Sequence, residues 1–233
     1  MKKFVHFKKS DGFTLVEMLT VVGIIAILIA LVTPALVDVI RSTRLNSAGD
    51  GLTNRLSLAQ QSAVSLSSEV EVRFYKYVDS NSDLPNQASY YAYQVVQSLA
   101  NGTEKAISDP YYLESGVVIS DQSELSPLLE TANPQFESTG GKYLFTPPGS
   151  ASSSDVTYAS MRFYPDGSVR MLTAGTNADA SSEDKALAYT IPDYDKSYVT
   201  IVESRNASNT QIPSNYYCIQ IDSYTGKTRV YRP

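Results

Sequence analysis

The chain has 233 residues, with 19 Lys and Arg against 24 Asp and Glu, a formal net charge of −5 and 42% hydrophobic residues. That length holds one folded domain with a sizeable core beside an anchor, and the acidic balance disfavours a general nucleic-acid binder. The lone cysteine, Cys218, forms no intramolecular disulfide, and the lone histidine, His6, leaves the chain after it without imidazole for Ser-His-Asp, Cys-His or histidine–zinc chemistry.

Taken in chain order, the first feature is a short basic leader carrying Lys2, Lys3, Lys8 and Lys9. Residues 12–34 follow as GFTLVEMLTVVGIIAILIALVTP, and no charge occurs from Met18 to Val37. At about 1.5 Å rise per residue, that run predicts a helix roughly 30 Å long, the thickness of a bilayer's hydrocarbon core. Glu17 stands at its start, where a carboxylate costs on the order of 2.5–3.5 kcal/mol on insertion scales. A cleaved secretory signal has a shorter apolar core, of about 7–15 residues. A plain signal anchor explains the length and the basic flank but not the acid.

Gly12-Phe13-Thr14-Leu15-Val16-Glu17 resembles the processing site of type IV prepilins and of the pseudopilins of type II secretion systems. The resemblance implies a leader at residues 1–12, cleavage after Gly12 by a prepilin peptidase and methylation of the new N-terminus at Phe13. Glu17 then becomes the fifth residue of the mature chain. Pro34 falls where these helices commonly kink. Without the leader's four lysines and one aspartate, 15 basic and 23 acidic residues remain, a net charge of −8. Cleavage places an amine about 6 Å along the helix axis from Glu17. The carboxylate of one subunit can then meet the amine of a neighbour, and pairing offsets the desolvation of both charges.

Leu36, Val37, Ile40, Leu45, Leu52, Leu56, Ala59 and Ala63 recur at helical spacings. They predict one helix from about 13 to 65, bent at Pro34. Residues 13–40 form the membrane and assembly segment, and 41–66 an amphipathic continuation, weakened at Gly49 and Gly51. From 67 to 233 the pattern is β-rich. The runs at 69–78, 90–99, 115–120, 142–147, 156–165, 168–173, 198–204, 216–222 and 228–233 are rich in tyrosine and valine. Tyr164-Pro165-Asp166-Gly167-Ser168 and Asp222-Ser-Tyr-Thr-Gly226 have the turn chemistry of two hairpins. The fold class expected is α+β: a long N-terminal helix on an antiparallel sheet or sandwich of eight or nine strands. Cys218, in an apolar-rich run, is expected to be a buried, inert thiol.

Phe163 to Gly167, followed by the closing Thr225–Val230 pair, looks like the minor pseudopilins and pilins of the GspH/FimT type. The tyrosine- and serine-rich inserts also resemble the cassette protein D family of prepilin-type proteins. Asp79, Asn81 and Asp83 open like a calcium loop, but Leu84 stands where that loop needs glycine and Tyr90 where it needs a bidentate glutamate. A solvated turn is the better account, and no cofactor is expected. Lys227, Arg229 and Arg232 in the last strand are read as one basic face, either touching DNA or blocking edge-to-edge aggregation, the second being favoured.

The sequence therefore reads as a non-enzymatic, single-pass inner-membrane protein with an extracytoplasmic β domain. Its expected role is that of a structural subunit, minor in abundance, of a secretion pseudopilus or pilus-like fibre. The partners implied are a prepilin peptidase, other pilin-like subunits, the membrane and a secreted substrate or DNA. A DNA- or surface-binding minor pilin, and a surface-anchored protein outside any fibre, are the alternatives.

Overall fold

The computed structural model describes residues 12–79, 87–99, 104–129, 145, 147–148, 156–173 and 188–233. The chain divides into two compact units, Met1–Ile40 and Arg41–Pro233. One helix, α1 (Leu15–Leu66), starts in the first and ends in the second.

Within the first unit, the large apolar side chains described on α1 all face outward. Phe13 is 79% exposed, Leu19 68% and Leu31 72%. The helix is long and apolar enough to cross a membrane. Its threonine hydroxyls are satisfied internally: Thr20 Oγ1 donates to the Val16 carbonyl at 2.8 Å and Thr33 Oγ1 to that of Ile29 at 2.7 Å. Such bonds let a hydroxyl sit in hydrocarbon without an unpaired donor.

Within the second unit, α1 buries a single stripe: Leu45, Ala48, Leu52, Leu56, Ala59 and Ala63. Spacings of three and four keep them on one face. They share a core with Val70, Val72, Phe74, Tyr93, Val95, Ile201, Tyr217 and Ile219. After Leu66 the chain turns at Ser67, whose φ of 48° is left-handed, and Ser68 N–H closes on the Ala63 carbonyl at 3.2 Å.

The strands are β1 (Glu69–Val78), β2 (Ala88–Ser98), β3 (Glu104–Ala106), β4 (Tyr111–Tyr112), β5 (Val117–Ile119), β6 (Thr157–Phe163), β7 (Val169–Thr173), β8 (Ala188–Thr190), β9 (Tyr198–Glu203), β10 (Tyr216–Ile221) and β11 (Thr228–Tyr231). They form one sheet in the order β11-β10-β9-β5-β2-β1-β6-β7-β8, and β3 and β4 pair with β2. Every pairing is antiparallel. The helix-on-antiparallel-sheet expectation holds, but the described strands form one hydrogen-bonded sheet rather than a sandwich. Eleven strands replace eight or nine because β3, β4 and β8 are too short to leave a pattern. The run at 142–147 lies mostly outside the described residues.

Both predicted hairpins form, and their turns meet. Asp166 Oδ1 accepts from Ser168 N–H at 2.8 Å, and Asp222 Oδ1 accepts from Tyr224 N–H at 3.0 Å. Val169 N–H donates to the Ser223 carbonyl at 2.7 Å, and Gln60 of α1 donates to the Thr225 carbonyl at 2.5 Å. Gly226, at φ +67°, lies where a Cβ would come 3.0 Å from the Gly167 carbonyl oxygen, so any side chain at this junction is both strained and crowded.

β1 alternates charged and apolar residues, and the structure buries both of its faces from Val70 to Tyr75. Glu71 is 1% and Arg73 4% exposed. Beside them Tyr75, Tyr77, Tyr91, Val118, Leu125, Phe145 and Val202 form a second core, in which Tyr75 and Phe145 stack with centroids 3.9 Å apart. Burial pushes the Glu71 carboxyl up, but the Arg73 and Arg162 guanidinium groups outweigh it and leave the group below its usual range. Hydrogen bonds in the turns lower Asp166 and Asp222, whereas burial raises Tyr75, Tyr77, Tyr90 and Tyr93.

A carboxyl depressed by folding stabilises above its unfolded value, and that contribution is lost as pH falls through the folded value. A phenol raised by folding stabilises below its unfolded value, and that contribution is lost as pH climbs. Stability is therefore expected to be flat between about pH 5 and pH 9, falling below about pH 4 and above about pH 10. Denaturant midpoints across pH check this, and a midpoint still climbing between pH 5 and pH 3 would contradict it.

Candidate functional site

The N-terminal end of α1 is built by its own sequence. Thr14 precedes the first helical residue and Glu17 is the third within it. Glu17 N–H donates to Thr14 Oγ1 at 3.2 Å, and Glu17 Oε2 accepts from Thr14 N–H at 2.8 Å and from Thr14 Oγ1 at 2.9 Å. This reciprocal arrangement is a capping box. The signal for it in the sequence is the Thr-x-x-Glu spacing of Thr14 and Glu17. Glu17 is exposed, and its carboxylate satisfies local donors within a segment whose surface is otherwise apolar.

Gly12 is exposed, with nothing within 4 Å of the place a Cβ would take. The fold makes no demand for glycine there. Pro34 lies within α1, and its side chain is outside the described residues.

The basic C-terminal residues do not share a face. β11 pairs with β10 so that Arg229 lies opposite Gln220 and Tyr231 opposite Cys218. Lys227 and Arg229 border a shallow depression with Tyr194, Gln220 and Asp222. Arg232 sits on the helix side, 3.4 Å from Asn46 Oδ1, with its guanidinium 5.8 Å from the Tyr217 ring centre. Strand alternation separates them: positions 227 and 229 share a parity, and 232 has the other. The expectation of one basic face is corrected on this point.

Asp79 is described, whereas Asn81 and Asp83 lie outside the described residues. Among the described residues, no group of three or more His, Cys, Asp or Glu side chains is placed to share a metal ion. Cys218 is half-buried rather than fully buried, with its thiol pushed up by burial. It lines a cavity of about 350 Å³ with Tyr198, Tyr216, Tyr231, Glu124 and Asp195.

The sequence reading missed a second cavity, of about 210 Å³, on which Arg41, Arg44 and Arg205 converge. The long separation of Arg205 from the other two in the chain hid it.

With the geometry in place, residues 7–33 match the family described as the prokaryotic N-terminal methylation motif. Among solved structures, the minor pseudopilin EpsH from the type 2 secretion system of Vibrio cholerae is similar at 9% identity and a TM-score of 0.39. That similarity covers 82% of this chain and 98% of the other. No curated protein matches the chain.

Proposed function

We propose that the chain is a structural subunit, minor in abundance, of a type II secretion pseudopilus or a type IV pilus-like fibre. A prepilin peptidase cuts after Gly12, and the new amine of Phe13 is methylated. The methylation motif at residues 7–33, continuous with an outward-facing apolar helix, is the observation that carries this reading. Such a surface is stable only when covered by lipid or by neighbouring helices. Gly12 supports it as well, because a glycine that the fold does not require is explained by recognition from outside. The basic leader orients the helix with the β domain on the extracytoplasmic side of the inner membrane.

In the fibre, the Glu17 carboxylate turns from its own cap to a neighbour's amine. Thr14 and Glu17 substitutions separate the two roles. Thr14→Ala removes the cap, at about 1 kcal/mol, but keeps the charge. It is expected to assemble like the unsubstituted protein. Glu17→Ala is expected to insert normally while its incorporation falls by about tenfold or more, the equivalent of 1.4 kcal/mol or above. Cross-linking to pilin-like subunits in the native membrane reads incorporation, and equal capture of both variants would refute the pairing. Mass spectrometry of the N-terminus reads processing. An intact leader, or an unmethylated Phe13, in cells with an active peptidase would defeat the proposal.

A further inference from the structure

β9, β10 and β11 are neighbours at one end of the sheet. Their register puts Thr200, Cys218 and Tyr231 in one row across the three strands, and Tyr198, Gln220 and Arg229 in the next. Side chains directly opposite each other share a face. It is not the face packed on α1, because Tyr217 and Ile219, of the other parity, lie in the core with Leu45 and Leu52. Apart from Arg229, the two rows line the cavity of about 350 Å³, to which Tyr216, Glu124 and Asp195 also contribute. Small-molecule sites run from about 300 to 1,000 Å³, so this one suits a small ligand.

Two of the phenols are anchored by the fold itself. Tyr198 donates its hydroxyl proton to the Glu124 carbonyl at 2.9 Å, and Tyr231 donates to Gln220 Oε1 at 3.1 Å. Gln220 Nε2 in turn donates to the Tyr194 carbonyl at 3.3 Å. A phenol oxygen that donates can still accept, and a ring already fixed loses little freedom on binding. Burial raises the Tyr198 phenol, and the nearby Cys218, Glu124 and Asp195 add to that, so its proton stays in place at neutral pH. The cavity thus combines aromatic rings with an excess of acceptors.

Three ligand classes fit that lining poorly. An anion would meet the carboxylates of Glu124 and Asp195. A wholly apolar molecule would strip water from both without replacing its hydrogen bonds. A cation would find them offset: Lys196 adjoins Asp195 in the chain, and Lys227 and Arg229, with Asp222, border the depression that shares Gln220 with the cavity. Three acids then stand against three bases. What fits is a neutral molecule bringing hydroxyl donors and an apolar ring face. A pyranose brings both, because its hydroxyls donate to carboxylate and phenol oxygens while its C–H groups suit the negative face of an aromatic ring.

We propose that Tyr198, Tyr216 and Tyr231, with Glu124, Asp195 and Gln220, form a binding site for a neutral saccharide on the sheet face away from α1. All of these residues belong to the second unit, so the site does not require a fibre.

The test is a printed array of neutral oligosaccharides of glucose, galactose, mannose and N-acetylglucosamine, with oligolysine and uronic-acid oligosaccharides beside them. The full chain is applied in a polyoxyethylene detergent, which has no sugar headgroup. At least one neutral glycan is expected to be retained above both charged controls. Its retention should fall about tenfold or more in Tyr231→Ala and in Asp195→Ala, and Lys227→Gln/Arg229→Gln should match the unsubstituted chain. Tyr231 and Asp195 are both exposed, so either change alone keeps the test valid if the other variant misfolds. No neutral glycan retained, or one whose retention survives both changes, overturns the proposal. Preferential capture by oligolysine or by the uronic-acid glycans would assign the cavity to a charged ligand and overturn it equally.

Discussion

Arg73→Met is expected to destabilise the β domain by about 3–5 kcal/mol, the cost of leaving a buried charge without its partner. Arg73 holds Glu71 through Nε at 2.9 Å and Nη2 at 3.3 Å, and it grips Glu104 through both terminal nitrogens, Nη1 at 3.0 Å. Arg162 closes the other side, with Nη1 2.6 Å from Glu69 and Nη2 3.3 Å from Glu71. The Glu71 side chain is 1% exposed and that of Arg73 5%, so water cannot take over when one partner is removed. Surface pairs are worth about 0–1 kcal/mol and are discounted by solvent; this pair is not at the surface. At about 2–4 °C per kcal/mol for a domain of this size, the melting temperature should drop by roughly 6–20 °C. Removing both charges in Arg73→Met/Glu71→Leu should restore part of the loss, because the most deeply buried carboxylate goes with its partner, while Glu104 and Arg162, which both reach solvent, each lose one contact. Near-ultraviolet dichroism through a denaturant series measures both variants. A loss below about 1 kcal/mol for the single change would mean that the network is solvated.

The same residues show where a sequence stops being legible. The bounds of β1 were readable at Glu69 and Val78, since period-two alternation marks a strand. Its charged face was not readable as buried, because alternation reports two faces and not what covers them. The hairpins at Pro165-Asp166-Gly167 and at Asp222–Gly226 were legible from turn chemistry, which is local. Their docking against each other and against Gln60 was not, since it depends on contacts far apart in the chain. β3, β4 and β8 owe their strand geometry to neighbours rather than to propensity. At the N-terminus the capping box was present as Thr14 and Glu17, because its partners are three residues apart. The Arg41, Arg44 and Arg205 cavity required the fold.

Gly49 was read as a weak point of the helix, and the structure reverses that reading. Gly49→Ala is expected to cost about 2–4 kcal/mol, although an ordinary helix position would gain about 1 kcal/mol from the same change. A Cβ at Gly49 would lie 2.3 Å from Tyr217 Cγ and 2.4 Å from Cδ1 and Cδ2. Carbon contacts are ordinarily about 3.5–4.0 Å, so the ring would have to retreat by more than an ångström. Turning the ring about its own axis gives no relief, because Cγ lies on that axis. Moving the whole side chain breaks the Tyr217 hydroxyl's 2.6 Å bond to Asp50 Oδ1 and withdraws the ring from Arg232. Gly51 is the internal control. A Cβ there meets the Tyr93 hydroxyl at 3.2 Å and the Tyr111 hydroxyl at 3.5 Å, at the tips of side chains that can yield. Gly51→Ala should therefore fall within about 1 kcal/mol of the unsubstituted chain, the propensity gain offsetting the crowding. Trimming the ring in Gly49→Ala/Tyr217→Val should give a loss smaller than the sum of the two single changes, the coupling expected of residues in contact. Chemical denaturation of the four variants decides the matter. A Gly49→Ala chain as stable as the original would mean that α1 does not rest on Tyr217, and that its glycine is only a flaw in the helix.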